Sequence, residues 1–254
     1  MDYTYLDRNL ARVKADLVSA CEAGGYDPQG VLLTAAIKSA DVEEINYLHT
    51  VLGVHVVGEN RVQQLLERYE KLEREGLSIH FIGTLQTNKV KYIIDKVDMI
   101  QSLDSEKLAR EIEKQAAKVG RVMDVLVEIN SGSEISKSGI EPSEARDFAH
   151  RLVNGDYPHI RLRGFMTMAP KSTEAEYRAI FGRVRELCQS IWAELPMADE
   201  RMELSMGMSE SYMPAAAEGA TMVRVGRGLF VKEAAEVSAA DVTAAEVSAA
   251  DTNA

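Results

Sequence analysis

The sequence alternates eight short apolar segments with longer segments of helical periodicity, and this alternation is its strongest constraint on the fold. An apolar run of about four to eight residues is typical of a strand that is buried on both faces. Strands separated by helices predict a parallel sheet with right-handed crossovers, and eight such units favour closure into a (β/α)8 TIM barrel. The eight runs cover residues 31–38, 55–59, 79–83, 99–103, 125–130, 162–168, 203–206 and 222–226.

The segments between the runs carry an apolar stripe that recurs every three or four residues. This pattern predicts helices over residues 61–75, 105–118 and 173–195. An additional N-terminal helix, over residues 5–23, is predicted before the first strand. A doubly wound open sheet is the competing architecture. The sequence has no glycine-rich dinucleotide fingerprint, which favours the barrel.

Composition and charge limit the classes of function. A net charge of −11 argues against nucleic-acid binding through a basic face. No apolar stretch is long enough for a membrane span, and the amino terminus lacks the basic and apolar regions of a signal peptide. We therefore expect a cytoplasmic protein. The two cysteines and five histidines show no metal-ligand spacing, so no metal site is predicted.

The chain divides into a predicted barrel domain, residues 1–232, and a tail, residues 233–254. The tail contains an eight-residue repeat, at residues 234–241 and again at 244–251. It is rich in alanine, acidic and free of aromatic residues. Such a segment buries too little apolar surface to offset the entropy lost on ordering, so we expect it to be disordered.

Lys38 ends the first apolar run, where a barrel of this kind carries its functional groups. Burial favours the neutral amine over the ammonium, and a neutral lysine amine can form a Schiff base with a carbonyl compound. The plainer alternative is an amine that reaches solvent at the rim of the sheet.

Two glycine-containing loops follow the seventh and eighth strands, the usual phosphate position of this fold. The first loop contains Ser205, Gly207 and Ser209, and the second contains Gly226, Arg227 and Gly228. Their hydroxyl groups and accessible backbone N–H groups can bind an anion. An amine beside a phosphate site fits pyridoxal 5′-phosphate (PLP). It equally fits an aldolase that forms a Schiff base with a sugar phosphate.

A series of motifs across residues 5–230 favours PLP over the sugar phosphate of an aldolase. The series resembles the pyridoxal-phosphate homeostasis protein family, single-barrel relatives of the alanine racemase amino-terminal domain. The resemblance implies a fold-type III PLP-binding barrel. In chain order the motifs are Ala36-Ile37-Lys38, the segments 58–63, 80–89, 136–140, 164–168 and 204–209, and Val223-Arg224-Val225-Gly226.

The resemblance also implies a set of cofactor-binding residues. Lys38 would hold PLP as a Schiff base, Arg224 would face the pyridine nitrogen, and no residue is assigned as catalytic. Arg227 stands where the family usually has threonine, so a guanidinium or a backbone amide would replace a hydroxyl at the phosphate. The implied residues are Lys38, Asn60, Met168, Ser205, Gly207, Arg224, Gly226 and Arg227.

The function implied is intracellular PLP homeostasis, in which a monomer buffers the cofactor or delivers it to the apo forms of PLP-dependent enzymes. Arginine cannot give up a proton to the pyridine nitrogen, which leaves the ring a weaker electron sink. Only the alanine-rich, acidic tail follows the predicted barrel, so we expect no opposite-face base from a second domain. The alternative is a PLP-dependent amino-acid racemase, with Tyr212 or His80 as its second base. A third possibility is an interaction protein that binds a partner through its acidic tail.

Overall fold

The structure, a computed structural model, describes residues 2–131 and 138–232. Eight parallel strands close into one barrel, in which each strand pairs with the next and the last pairs with the first. The predicted (β/α)8 barrel is confirmed. The strands are β1 (Leu32–Ala36), β2 (Val56–Glu59), β3 (Ser78–Phe81), β4 (Met99–Leu103), β5 (Met123–Ile129), β6 (Ile160–Thr167), β7 (Glu203–Ser205) and β8 (Met222–Val225).

Helices surround the barrel, and the predicted N-terminal helix is present as α1. Short 3-10 turns cover Pro28–Gly30, Tyr69–Lys71 and Thr87–Lys89. The helices are α1 (Thr4–Gly24), α2 (Val42–Thr50), α3 (Val62–Arg68), α4 (Val90–Ile93), α5 (Glu106–Val119), α6 (Pro142–Val153), α7 (Glu174–Trp192), α8 (Tyr212–Ala217) and α9 (Arg227–Phe230).

Side-chain caps explain where two of the longer helices begin. Thr173 accepts a hydrogen bond from the backbone of Glu176, whose carboxylate accepts one from the backbone of Thr173 in return. This capping box satisfies donors that α7 would otherwise leave unpaired at its first turn. Helix α5 begins after Ser105, whose hydroxyl accepts from the N–H of Leu108 over 3.3 Å.

The third helix is shorter than predicted. Its regular turns end at Arg68 and continue as a 3-10 turn, after which Leu72 has extended backbone angles. Leu72 is nevertheless buried. The apolar stripe is therefore genuine, although its last member reaches the core from an extended segment instead of a helix.

The first strand is also shorter than predicted, because it ends at Ala36. Ile37 continues the ladder with one bond, from its N–H to the carbonyl of Gly58 over 3.0 Å, and Lys38 lies in the turn that follows. The lysine is therefore beyond the strand.

Strand β6 shows how the residues of a barrel strand divide between two cores. Phe165 packs in the layer between strands and helices, whereas Met166 points into the barrel. Inside the barrel Met166 contacts an apolar group formed with Met99, Leu126 and Met222. Burial on both faces holds from Gly164 to Thr167, whereas Arg161 is exposed and Arg163 partly exposed nearer the start of the strand.

Several predicted features lie outside the described residues. They are the tail at 233–254 and Ser136 and Lys137 of the fourth motif. Every helix within the described ranges is too short or too polar to cross a lipid bilayer.

Candidate functional site

A cavity of about 280 Å³ opens at the carboxyl end of the strands. Two of the eight predicted site residues, Ser205 and Gly207, are absent from its wall. The structure brings the other six together around it: Lys38, Asn60, Met168, Arg224, Gly226 and Arg227. Further residues that line the wall include Ile82, Lys171, Tyr177, Ser209, Glu210 and Ser211.

The loop that carries Lys38 is held by two backbone contacts at Ile37. The N–H of Ile37 donates to the carbonyl of Gly58, and the Ile37 carbonyl accepts from Arg68 Nη1 over 2.8 Å. The Lys38 side chain itself is exposed. Of the two placements of the amine that the sequence leaves open, the structure shows the one that reaches solvent. Lys38 lies in the turn after the strand.

Arg68 is in turn fixed by Glu59, the last residue of β2. Arg68 Nη1 lies 3.3 Å from Glu59 Oε2, and Glu59 is fully buried. Glu59 Oε1 accepts from the backbone N–H groups of Asn60 and Arg61, over 2.7 and 3.0 Å. Burial raises the pKa of Glu59, although these donors and Arg68 oppose that effect. One carboxylate thus orients both Asn60 in the cavity wall and the support of the Lys38 loop.

Arg224 lies on β8 with only 3 % of its surface exposed. Its Nη1 donates to Ser205 Oγ over 2.5 Å, and its Nη2 donates to the carbonyl of Thr167 over 2.8 Å. Burial lowers the pKa of the guanidinium to about 10, and the nearby carboxylate of Glu128 opposes that shift. Arg224 therefore remains a cation at neutral pH, in a fixed orientation at the cavity wall.

Ser205 belongs to a polar network inside the barrel. Its hydroxyl donates to Gln101 Oε1 over 2.7 Å while accepting from Arg224. Gln101 Nε2 lies 2.8 Å from His80 Nδ1, which therefore accepts the bond and carries no proton. Burial lowers the pKa of His80 to about 4, so its ring is neutral. The sequence predicts Ser205 as a cofactor-binding residue at the cavity. In the structure Ser205 instead supports Arg224 and does not line the cavity.

Gly207 has a packing role in the loop after β7. Its φ is 88°, and a Cβ atom there would lie 2.5 Å from the Cβ of Ala215 and 2.9 Å from the Cα of Tyr212. Only glycine allows this approach of the loop to α8. Its carbonyl accepts from the backbone N–H of Arg224 over 3.1 Å.

Ser209 occupies the position that the sequence prediction gives to Ser205. It lines the cavity, and its hydroxyl oxygen accepts from the backbone N–H groups of Gly226 and Gly228 over 3.1 and 3.4 Å. Because the oxygen accepts both bonds, the hydroxyl proton remains available to an anion. The sequence contained a signal for this role, since Ser209 lies in the same glycine-containing loop.

Two cations flank this hydroxyl at the mouth of the cavity. Arg227 Nη2 lies 2.6 Å from Glu210 Oε1, and Lys171 Nζ lies 3.8 Å from Glu210 Oε2. Both cations are largely exposed, at 78 % and 87 % of their side-chain surface. Solvent screens exposed ion pairs, so an incoming anion can compete with Glu210 for them.

The two residues named as a second base for a racemase are engaged elsewhere. Tyr212 donates to Asp16 Oδ2 over 2.5 Å, and burial together with this bond raises the pKa of the phenol. His80 is bound to Gln101 inside the barrel. Neither lines the cavity, but Tyr177 of α7 does. Among the described residues no group of three or more histidine, cysteine or acidic side chains could hold a metal ion.

Comparison with known proteins places the chain in a family. The model of the alanine racemase N-terminal domain matches residues 27–234. The pyridoxal phosphate homeostasis protein of Aquifex aeolicus is 42 % identical over 222 residues, covering 87 % of this chain and 95 % of that protein. The protein of the same name from Pasteurella multocida is 34 % identical over 229 residues, covering 89 % and 96 %.

Solved structures give the same result. PipY of Synechococcus elongatus, solved with PLP bound, superposes with a TM-score of 0.76 at 30 % identity, covering 89 % of this chain and all of PipY. A Bifidobacterium adolescentis protein described as unknown superposes with a TM-score of 0.83 at 33 % identity, covering 91 % and 97 %. Alanine racemase of Corynebacterium glutamicum, at 16 % identity and a TM-score of 0.62, shares the fold. The chain therefore belongs to the pyridoxal phosphate homeostasis protein family, which is built on the barrel of the alanine racemase amino-terminal domain.

Proposed function

We propose that this protein binds PLP as a Schiff base on Lys38 and acts in intracellular PLP homeostasis, by buffering the cofactor or delivering it to apo enzymes. One observation carries the proposal. An amine, a buried guanidinium and an anion-accepting loop converge on one cavity, from Lys38, Arg224 and Ser209 respectively. The PLP-bound structure of PipY and the names of the relatives support the same ligand.

The residues around the cavity fit the chemical groups of PLP. The Lys38 amine suits the aldehyde, and the hydroxyl of Ser209 with the cation of Arg227 suits the phosphate. Arg224 suits the pyridine nitrogen as a donor that keeps its own protons, since its pKa of about 10 lies well above neutral pH. Asn60 and Met168 remain on the wall as contacts for the ring.

Bound PLP supplies an aldehyde carbon that primary amines capture and release reversibly. Lys38 provides the resident amine. Because its side chain is exposed, a second amine can reach the same position from solvent. This accessibility supports exchange of the cofactor between Lys38 and an acceptor, which is the chemistry that buffering and delivery require.

Borohydride reduction followed by peptide mass mapping tests the proposal. The PLP-loaded protein should yield a phosphopyridoxyl group on the peptide that contains Lys38. The matched control is Lys171→Ala. Lys171 is the other lysine of the cavity wall in the described residues, and its loss should leave the adduct on Lys38. Lys38→Ala should lose the adduct and retain weak binding through the phosphate. An unmodified Lys38 peptide would overturn the proposal and favour the alternative function, an aldolase that acts on a sugar phosphate.

The position of Tyr177 in the cavity wall favours the racemase alternative. The residue is a tyrosine, and a racemase needs a second base opposite the lysine. The assay is exchange of the α-proton of L-alanine in deuterated water with PLP-loaded protein. Carrier function predicts no exchange above that of free PLP. Exchange at enzymatic rates that Tyr177→Phe abolishes would establish the racemase.

A further inference from the structure

A second groove adjoins the cavity at its mouth. It has a volume of about 330 Å³ and lies between the start of α7 and the start of α8. Three side chains line both spaces: Tyr177, Ser209 and Glu210. Cavity and groove therefore share a wall, and a ligand in the groove would lie beside whatever the cavity holds.

Tyr177 is the buried polar side chain of that shared wall. Only 6 % of its surface is exposed, and its ring stacks on Phe181 with centroids 5.9 Å apart. Its hydroxyl has no hydrogen-bond partner among residues 2–131 and 138–232. The hydroxyl is not enclosed by protein, since it is not among the buried polar atoms that lack a partner. Because Tyr177 lines both open spaces, its unpaired hydroxyl is accessible to a ligand there.

The charges of the groove indicate what that ligand is. Glu174 and Glu210 are among the residues that line it, and none of those residues is basic. Glu210 is engaged by Arg227 and Lys171 on the cavity side. Glu174 is exposed in the first turn of α7 and makes no ion pair with any residue that the structure describes. A free carboxylate therefore faces the groove without a cation.

The remaining wall is apolar in part. Met213, 41 % exposed, and Pro214 contribute hydrocarbon surface beside the carboxylate. Hydrocarbon, a carboxylate and a hydroxyl acceptor together suit an alkylammonium group, whose methylenes pack while the charged end donates hydrogen bonds.

We propose that this groove binds the amine that receives the cofactor, in the form of a lysine side chain or a similar alkylammonium. The inference rests on the proposed function, since an acceptor amine is needed only if Lys38 carries PLP. Glu174 attracts the ammonium to the groove, Met213 packs on its methylenes, and the hydroxyl oxygen of Tyr177 accepts one of its hydrogen bonds at the wall shared with the cavity.

Unloaded protein provides the first test. Nα-acetyl-L-lysine amide is titrated by NMR against the wild type, with Nα-acetyl-L-norleucine amide as the probe that lacks the ammonium. The lysine probe should bind more tightly. Its affinity should fall about twofold to fivefold in Glu174→Gln and about threefold to tenfold in Tyr177→Phe. Glu186→Gln, on the same helix but remote from the groove, should match the wild type. Equal affinity for the two probes, or no effect of either groove variant, would overturn the proposal.

PLP-loaded protein provides the second test, which separates this proposal from the proposed function. The lysine probe should accelerate release of PLP, and Glu174→Gln should reduce that acceleration about twofold to fivefold while Glu186→Gln leaves it unchanged. Reduction with borohydride should still label Lys38 in both variants. If Lys38 is never labelled, the proposed function fails. If Lys38 is labelled and both variants respond to the probe equally, only the groove assignment fails.

Discussion

Arg224 and Ser205 form a hydrogen bond inside the barrel, with Nη1 of the arginine 2.5 Å from Oγ of the serine. The Ser205 hydroxyl donates its own hydrogen bond to Gln101, so both residues belong to a network that continues to His80. Ser205 therefore orients the buried guanidinium of Arg224 and does not contact a ligand in the cavity. Ser209 takes its place at the cavity.

The two serines should therefore respond differently to alanine. Ser205→Ala leaves Gln101 and Arg224 with unpaired buried groups and should lower the free energy of unfolding by about 1–3 kcal/mol. Ser209→Ala should leave stability closer to the wild type and weaken PLP binding by about 1–3 kcal/mol, the range for a charge-assisted bond to the phosphate. Urea unfolding of unloaded protein and PLP titration measure the two effects. If Ser205→Ala weakened PLP binding and Ser209→Ala lowered stability, Ser205 would be the residue that contacts the phosphate.

Removing Arg68 should disturb the site without touching the cavity. Arg68→Met leaves Glu59 buried without its cation, which costs about 3–5 kcal/mol of stability for a broken buried pair. It also frees the Ile37 carbonyl beside Lys38. The double variant Arg68→Met/Glu59→Gln should recover much of the stability. PLP should nevertheless label its Lys38 more slowly than that of the wild type. Arg74→Met, which breaks an exposed pair with Glu70, is the control. Labelling at the wild-type rate in the double variant would exclude a positioning role for Arg68.

Glu128 should make stability depend on pH. Burial raises the pKa of this carboxyl above its ordinary value of 4.5, despite a hydrogen bond from Ser138 and the attraction of Arg224. Above that value the folded protein retains a proton that the unfolded chain releases, so the free energy of unfolding falls as pH rises through the folded pKa. Glu128→Gln cannot ionise, so its stability relative to the wild type should increase from pH 4.5 upward. Urea unfolding across this range measures the trend. A constant difference in stability between Glu128→Gln and the wild type across this range would contradict the prediction.

Gly164 should be among the least replaceable residues of the barrel. The register between β5 and β6 shifts after Val125, and Gly164 lies opposite Leu126 with a φ of 147°. A Cβ atom there would lie 1.9 Å from the carbonyl oxygen of Glu203 on β7. Gly164→Ala should therefore separate two paired strands and reduce expression of folded protein, or lower its melting temperature severely.

The control for that variant is Gly155→Ala. Gly155 also has a positive φ, 96°, but nothing lies within 4 Å of the added Cβ atom. Backbone strain alone costs about 1–3 kcal/mol. Thermal unfolding should place Gly155→Ala well above Gly164→Ala. Similar melting temperatures would show that the approach of β7 is not what requires glycine at position 164.

The sequence by itself determined the alternation of strands and helices and favoured a barrel over an open sheet. This alternation is a local signal, and burial on both faces of a strand explains runs such as Met99–Leu103, which the structure reproduces at both ends. The pairing of β1 with β8 is what closes the barrel. The ends of the strands also marked the region of the site, because parallel strands present their carboxyl ends at one rim.

Only the tertiary structure decided which side chains occupy that rim. Ser205 ends β7 and Ser209 lies four residues later in the loop that follows, and the hydrogen bonds of Arg224, Gln101 and Gly226 separate their roles. Tyr177 belongs to the apolar stripe of α7 by its spacing, yet it lines the cavity. Such roles depend on contacts between residues far apart in the chain, which the pattern of neighbouring residues does not encode.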